Sequence, residues 1–168
     1  DEPLIIEGIH ALNPMLLNDD IDRDKLFRVY VSALTTLNID DHNRIHTTDA
    51  RLLRRLVRDY ETRGASMEHT LSMWPSVRRG EETWIFPYQE NADALFNTTL
   101  VYEVSVLKKY VYPLLQEVPK ESPCYAAARD ITKVLNYFLD ADGIEDEIPP
   151  TSILREFIGG CTFYREDK

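Results

Sequence analysis

The chain has 168 residues, of which 43% are hydrophobic, 10% aromatic and 29% charged, the balance of a folded globular protein rather than a disordered tail or a membrane protein. Asp and Glu outnumber Lys and Arg by 29 to 19, a formal net charge of −10. That sign excludes bulk attraction to nucleic acid or to an anionic membrane, so any anion site must be a local concentration of arginine.

The elements follow in chain order. Asp1-Glu2-Pro3 leads directly into an apolar run with no initiator Met or leader, and the chain reads as cut from something longer. Leu4-Ile5-Ile6, ended by Glu7-Gly8, predicts a buried strand. Ala11 to Leu17 predicts a helix, followed by the acidic turn Asn18-Asp19-Asp20. Leu26 to Val31 predicts a second strand, and the strand–helix–strand order predicts part of an α/β sheet. A helix is predicted from about Thr47-Thr48-Asp49 to Thr62, closed by Gly64. Met67 to Met73 predicts a short helix ended by Trp74-Pro75, with an irregular stretch from Ser76 to Pro87. Ala94-Leu95-Phe96 is a third strand candidate. Val101 to Val118 predicts a long helix interrupted at Pro113, and Pro123 opens another that runs to about Phe138. Ala141 to Glu147 reads as an acidic loop. Thr151 to Gly160 reads as one short docking helix closed by Gly159-Gly160.

Chemistry concentrates on the helix after Thr47. Leu52, Leu53, Leu56, Val57 and Tyr60 form its apolar face, while Arg51, Arg54, Arg55 and Arg58 fall on the other at i, i+3, i+4 and i+7, with Arg63 just beyond. Four guanidiniums on one face repel one another, which invites an anionic ligand, and arginine suits bidentate phosphate contacts. The alternative is a solvated face neutralised by carboxylates elsewhere in the chain. Glu7, at the carboxyl end of an apolar run, is placed where an acid can hold Mg²⁺ directly or through water, or serves as an ordinary turn carboxylate. His10, His42, His46 and His69 form no tight ligand motif, and Asp40-Asp41-His42 reads as a loop rather than a metal site. Trp74, Trp84, Phe86 and Tyr88 lie near Arg78 and Arg79 and are read as loop packing rather than base stacking. Cys124 and Cys161 are too few for a disulfide framework and fit a reducing, cytoplasmic setting. Asn97-Thr98-Thr99 matches a glycosylation acceptor and is read as a loop or strand end. No apolar run approaches the roughly 20 residues of a membrane span. Neither G-x-x-x-x-G-K-[ST] nor G-x-G-x-x-G occurs in these 168 residues, so this stretch by itself has no phosphate-cradling loop.

Leu4 to Pro14 resembles the Walker-B-like strand region of the uridine kinase and phosphoribulokinase family of P-loop kinases. The resemblance, to a bacterial uridine kinase-like branch, continues through Tyr30 to Arg44, Thr48 to Asp59, Trp74 to Glu81 and Ser152 to Gly160. It implies an α/β fold, a partial P-loop kinase with parallel strands, mainly helical, that lacks the P-loop half. Residues 1–118 would be the C-terminal half of the kinase domain with its lid helices, and 119–168 a helical extension packed on it. The implied activity is transfer of the γ-phosphoryl group of ATP, with Mg²⁺, to a hydroxyl of a nucleoside such as uridine or cytidine, or of a similar small molecule. The chain alone is expected to be inactive, and to self-associate as a homo-oligomer through an exposed strand edge. By the same resemblance Glu7 helps hold Mg²⁺, Arg58 and Arg63 neutralise the transferring phosphate, and Arg55 lies close to the acceptor. Three departures bear on acceptor choice. Ala65 stands where uridine–cytidine kinases carry a basic residue, Met73 stands where a polar contact is expected, and Ala33 to Thr47 is longer than its counterpart. The alternative reading is a non-catalytic module, derived from a kinase, that binds a phosphorylated ligand or a partner protein.

Overall fold

A computed structural model describes residues 2–16 and 21–163. The acidic turn expected at Asn18-Asp19-Asp20 lies outside the described residues. The fold is α/β and dominated by helices, with one parallel two-stranded sheet. Among the described residues no helix is long and apolar enough to cross a membrane. The chain forms two compact units, each discontinuous in sequence. One takes the chain up to Ser32 together with Pro75–Asn97, and the other takes Ala33–Trp74 together with the chain from Thr98 onward.

The first unit holds the sheet. Strands β1 (Val29–Ser32) and β2 (Ala94–Asn97) run parallel, with Val29 opposite Ala94 and Ser32 opposite Asn97. The entry to the pair is pinned by two exchanges. The Asp93 side chain accepts from the Arg28 amide at 2.7 Å, and the Arg28 carbonyl accepts from the amides of Asp93 and Ala94. Both strands were legible as β-branched or aromatic runs. Leu4-Ile5-Ile6 differs: it forms no strand, and its side chains are 83%, 88% and 68% exposed. An apolar run becomes a parallel strand only where neighbours satisfy its backbone, and among the described residues the ladder has two strands. Of the helix expected over Ala11 to Leu17, the described part, Ala11 to Leu16, holds only a 3-10 turn, Pro14–Leu16, entered through Asn13, whose side chain accepts from the Met15 amide at 3.0 Å. A residue before proline is pushed out of the helical region, which leaves room for a turn and no more.

The second unit is built on α1 (Thr47–Arg63), α3 (Glu103–Gln116), α4 (Tyr125–Leu135) and α5 (Arg155–Ile158). Leu53, Leu56, Leu107, Leu135 and Leu154 have essentially no solvent exposure and belong to one apolar cluster that joins all four helices. Helix α1 ends as the sequence indicates. Gly64 adopts the left-handed conformation (φ 61°, ψ 23°), and the amides of Gly64 and Ala65 return to the carbonyls of Tyr60 and Asp59. Its start is less conventional, because His46 occupies the cap position and makes no side-chain capping bond.

Helix α2 (Met67–Trp84) is longer than expected and carries Pro75 inside it. The proline removes one backbone donor, yet helical geometry resumes through the stretch read from sequence as irregular. The boundary between the two units falls at Trp74-Pro75. Beyond the proline, Arg78 bonds the Glu81 and Glu82 carboxylates at 2.9 Å each and lies 5.4 Å from the centre of the Phe86 ring, so this turn of helix is held by its own side chains.

One arginine of the sequence stripe is a core residue. Arg54 is buried, with its Nε donating to Glu103 Oε2 at 3.0 Å, a second guanidinium bond to the same carboxylate, and further bonds to the Thr98 carbonyl (2.7 Å) and hydroxyl (3.2 Å). The ring of Phe157 in α5 lies 5.7 Å from the guanidinium carbon. Position i+3 of the stripe therefore points between helices, and Arg54 is removed from the set that faces solvent.

Burial pushes the Glu103 carboxyl above its ordinary 4.5, with Arg54 opposing the rise. A raised folded value means that the contribution of Glu103 to stability is complete below pH 4.5 and is lost as pH climbs through the raised value. Arg54→Met removes the opposing cation, so Glu103 rises further and the folded variant must at neutral pH either bury an unpaired carboxylate or take up a proton, each at a cost. The expected cost is about 3–5 kcal/mol at neutral pH, shrinking on acidification toward the ordinary glutamate value. Urea unfolding of both proteins across that range checks it, and a deficit independent of pH would contradict it.

Candidate functional site

The arginine-rich end of α1 surrounds one buried carboxylate. Asp59 is 4% exposed and sits four residues after Arg55 and four before Arg63, so all three share one helix face. Its oxygens take Arg55 Nε at 3.1 Å and Arg63 Nη1 at 2.8 Å, and Thr70 Oγ1 of α2 donates to it at 3.4 Å. Arg58 stands off, with Nε 3.9 Å from Asp59 Oδ1 and Nη1 3.6 Å from Glu156 Oε1 of α5. Both separations exceed hydrogen-bond length, so Arg58 is the least committed of the three candidate guanidiniums.

Arg58 opens onto a cavity of about 470 Å³ in the second unit. The last turns of α1 contribute Arg58, Glu61 and Thr62, α3 contributes Tyr110, and α5 with the following turn contributes Arg155 through Cys161. Arg155 anchors that wall. Its Nη2 donates to the carbonyls of Glu145 and Ile148 at 2.6 Å each, and its Nη1 reaches the Gly159 carbonyl at 3.4 Å. The chain then turns over the guanidinium through Gly159 and Gly160, both at positive φ. A Cβ at Gly160 would meet Arg155 Nη1 at 3.3 Å, so this turn accepts only glycine without a shift. Burial, reinforced by the Glu145 and Glu61 carboxylates, pushes the Tyr110 phenol above its usual value and keeps it a protonated hydrogen-bond donor.

The structure thus brings Arg55, Arg58 and Arg63 together around Asp59 and leaves Glu7 in the other unit, exposed and outside any helix or strand. Among the described residues no three His, Cys, Asp or Glu side chains group as a metal-holding set. The residues present do not by themselves fit a nucleoside triphosphate, because no loop cradles its phosphates. At the loop read as a non-metal turn, Asp40 accepts from the amides of His42 and Asn43 at 2.8 and 2.7 Å. Asp59, Tyr110, Arg155 and Glu156 were missed from sequence. The i−4 and i+4 arginines around Asp59 were the readable signal for the first; the others depend on how α3 and α5 pack against α1.

Uridine kinases of Staphylococcus aureus strains JH9, Newman and Mu50 are each 32% identical to this chain over 93 residues. The match covers 55% of this chain, which in turn spans 37% of the length of those curated relatives. No family model and no solved structure matches the chain. The chain is therefore similar, over part of its length, to kinases of the uridine kinase type.

Asp59 is the shared counter-charge of the cluster, whereas Arg63 is more than half exposed. Asp59→Ala is expected to cost about 3–5 kcal/mol and Arg63→Ala no more than about 1 kcal/mol. Thermal unfolding of the two variants checks the order, and equal losses would mean that Asp59 is not the hub.

Proposed function

We propose that this chain is part of a uridine kinase-like phosphotransferase that moves the γ-phosphoryl group of ATP, with Mg²⁺, onto a hydroxyl of a nucleoside or similar small molecule. The observation that carries the reading is the 93-residue similarity to the Staphylococcus aureus uridine kinases. The arginine cluster of α1 supports it chemically. Charge on a transferring phosphoryl group is met most effectively by cations positioned in advance, because no reorganisation is then needed during reaction. In this reading Arg58 and Arg63 face the transferring phosphate, Arg55 lies toward the acceptor, and Glu7 contributes one carboxylate to Mg²⁺. Asp59 acts through Arg55 and Arg63: it limits their side-chain freedom and lowers their mutual repulsion. The triphosphate itself is held by residues other than those of this chain, whose 168 residues contain no cradling loop. The departure at Ala65 leaves the acceptor open among nucleosides and related hydroxyl compounds.

The test measures ATP-dependent phosphorylation of a nucleoside panel by the protein that carries this chain, alongside Arg58→Ala. Turnover of uridine or cytidine that falls by about 10³-fold or more in the variant is the expected result. ATP binding without turnover of any nucleoside moves the acceptor to another class of hydroxyl compound. Absence of ATP binding overturns the kinase reading and leaves a phospho-ligand-binding module.

A further inference from the structure

The cavity beside Arg58 has features that phosphoryl transfer does not use. Its volume, about 470 Å³, lies within the roughly 300–1,000 Å³ range of small-molecule sites. Its charged groups are Arg58 and Arg155 against Glu61 and Glu156, which cancel formally. Arg155 is further discounted as a ligand contact, because both of its terminal nitrogens are spent on backbone carbonyls. Arg58 is the cation left over, at 3.6 Å from Glu156, a spacing at which an incoming oxyanion can replace the carboxylate. Polyphosphates are disfavoured by the two glutamates, and a single anionic group is not. The remaining wall is apolar or aromatic, from Tyr110, Phe157 and Ile158, and the backbone of Gly159-Gly160 lies bare along it.

We propose that this cavity binds a small aromatic molecule bearing one oxyanion group, with Arg58 taking the anion in exchange for Glu156 and the ring lying against Tyr110 and Phe157. The site goes beyond the kinase reading. It shares Arg58 with that reading but requires neither nucleotide nor metal. Glu156 is the competing internal anion, held in place because its neighbours in α5 are fixed, Phe157 by burial and Arg155 by its carbonyl bonds.

Cys161 lines the cavity and is free, while Cys124 is free and lies outside the lining, so the two thiols provide a local reporter and its control. The experiment follows iodoacetamide alkylation of each thiol by mass spectrometry, with phenyl phosphate, phenylacetate, inorganic phosphate or phenol added in the millimolar range and no nucleotide present. Protection of Cys161 by at least one aryl anion, with Cys124 unaffected, is the expected result. Protection by phenyl phosphate assigns a phosphate ester and protection by phenylacetate a carboxylate. Arg58→Ala should abolish protection, and Glu156→Gln, which keeps Arg58 and the shape of the wall, should tighten it roughly two- to fivefold, the range of a half-exposed ion pair. The proposal is overturned if neither aryl anion protects Cys161, if Cys124 slows equally, if inorganic phosphate or phenol protects as well as the aryl anions, or if Glu156→Gln leaves the affinity unchanged. Protection without phosphoryl transfer to any acceptor would leave this site standing while the kinase reading fell, and turnover without protection would do the reverse.

Discussion

The second unit depends on a guanidinium that has been taken out of water. Arg54 lies between α1, the Thr98 segment that leads into α3, and α5, and a buried cation is tolerable only where its charge is paired and its donors are largely met. Glu103, the Thr98 carbonyl and the Thr98 hydroxyl take four of its five N–H groups, with the Phe157 ring alongside. Those partners come from positions 98, 103 and 157, so one residue of α1 ties together segments far apart in the chain. Leucine burial supplies the driving force for packing these helices, and it is nearly indifferent to small rotations. The Arg54 network is directional and selects the arrangement in which its bonds are made.

That arrangement also sets the surroundings of the other arginines of α1. With Arg54 turned inward, Arg55, Arg58 and Arg63 remain on the outer side around Asp59, and Glu156 is brought across from Arg58 because α5 is held by Phe157 and Leu154. The cationic cluster is neither a bare repulsive stripe nor fully neutralised. Asp59 hydrogen-bonds Arg63 and pairs in charge with Arg55 at 3.1 Å, and Arg58 faces two carboxylates at distances too long for a hydrogen bond. A guanidinium in that condition is suited to exchange one anion for another. The proposed phosphoryl transfer and the proposed binding of an aryl oxyanion would both draw on this property, and the two proposals differ in whether a nucleotide or the cavity wall supplies the rest of the site.

Much of this was legible in the residues. The apolar periodicity of Leu52, Leu53, Leu56 and Val57, with Gly64 behind them, marked α1 almost to the residue, and the run from Leu26 to Val31 marked β1 while placing its start three residues early. Local rules decide such features: side-chain period, a left-handed cap, strand composition. The misses have equally local causes. Pro75 was read as a terminator, although a helix can resume past one missing donor when the following turn is held by its own pairs, here Arg78 with Glu81 and Glu82. Leu4-Ile5-Ile6 was read as a strand on composition, although a strand exists only with a partner. Arg54 was assigned to the solvent face because a helical wheel cannot tell a guanidinium that points to water from one whose carboxylate lies 49 positions later.

The sequence by itself determined the α/β class, the position of the arginine-rich helix, and the residues that link the chain to uridine kinase-like enzymes. The first two follow from composition and spacing, which are properties of neighbours along the chain, and the third is a resemblance carried by a 93-residue stretch. Tertiary structure alone decided that Arg54 is a core residue, that Asp59 gathers three arginines and a threonine, and that Arg58 looks onto a cavity closed by Arg155 and two glycines. The physical reason is that ionic and hydrogen-bonding partners are chosen by distance in space and by desolvation, and neither quantity is written in sequence separation.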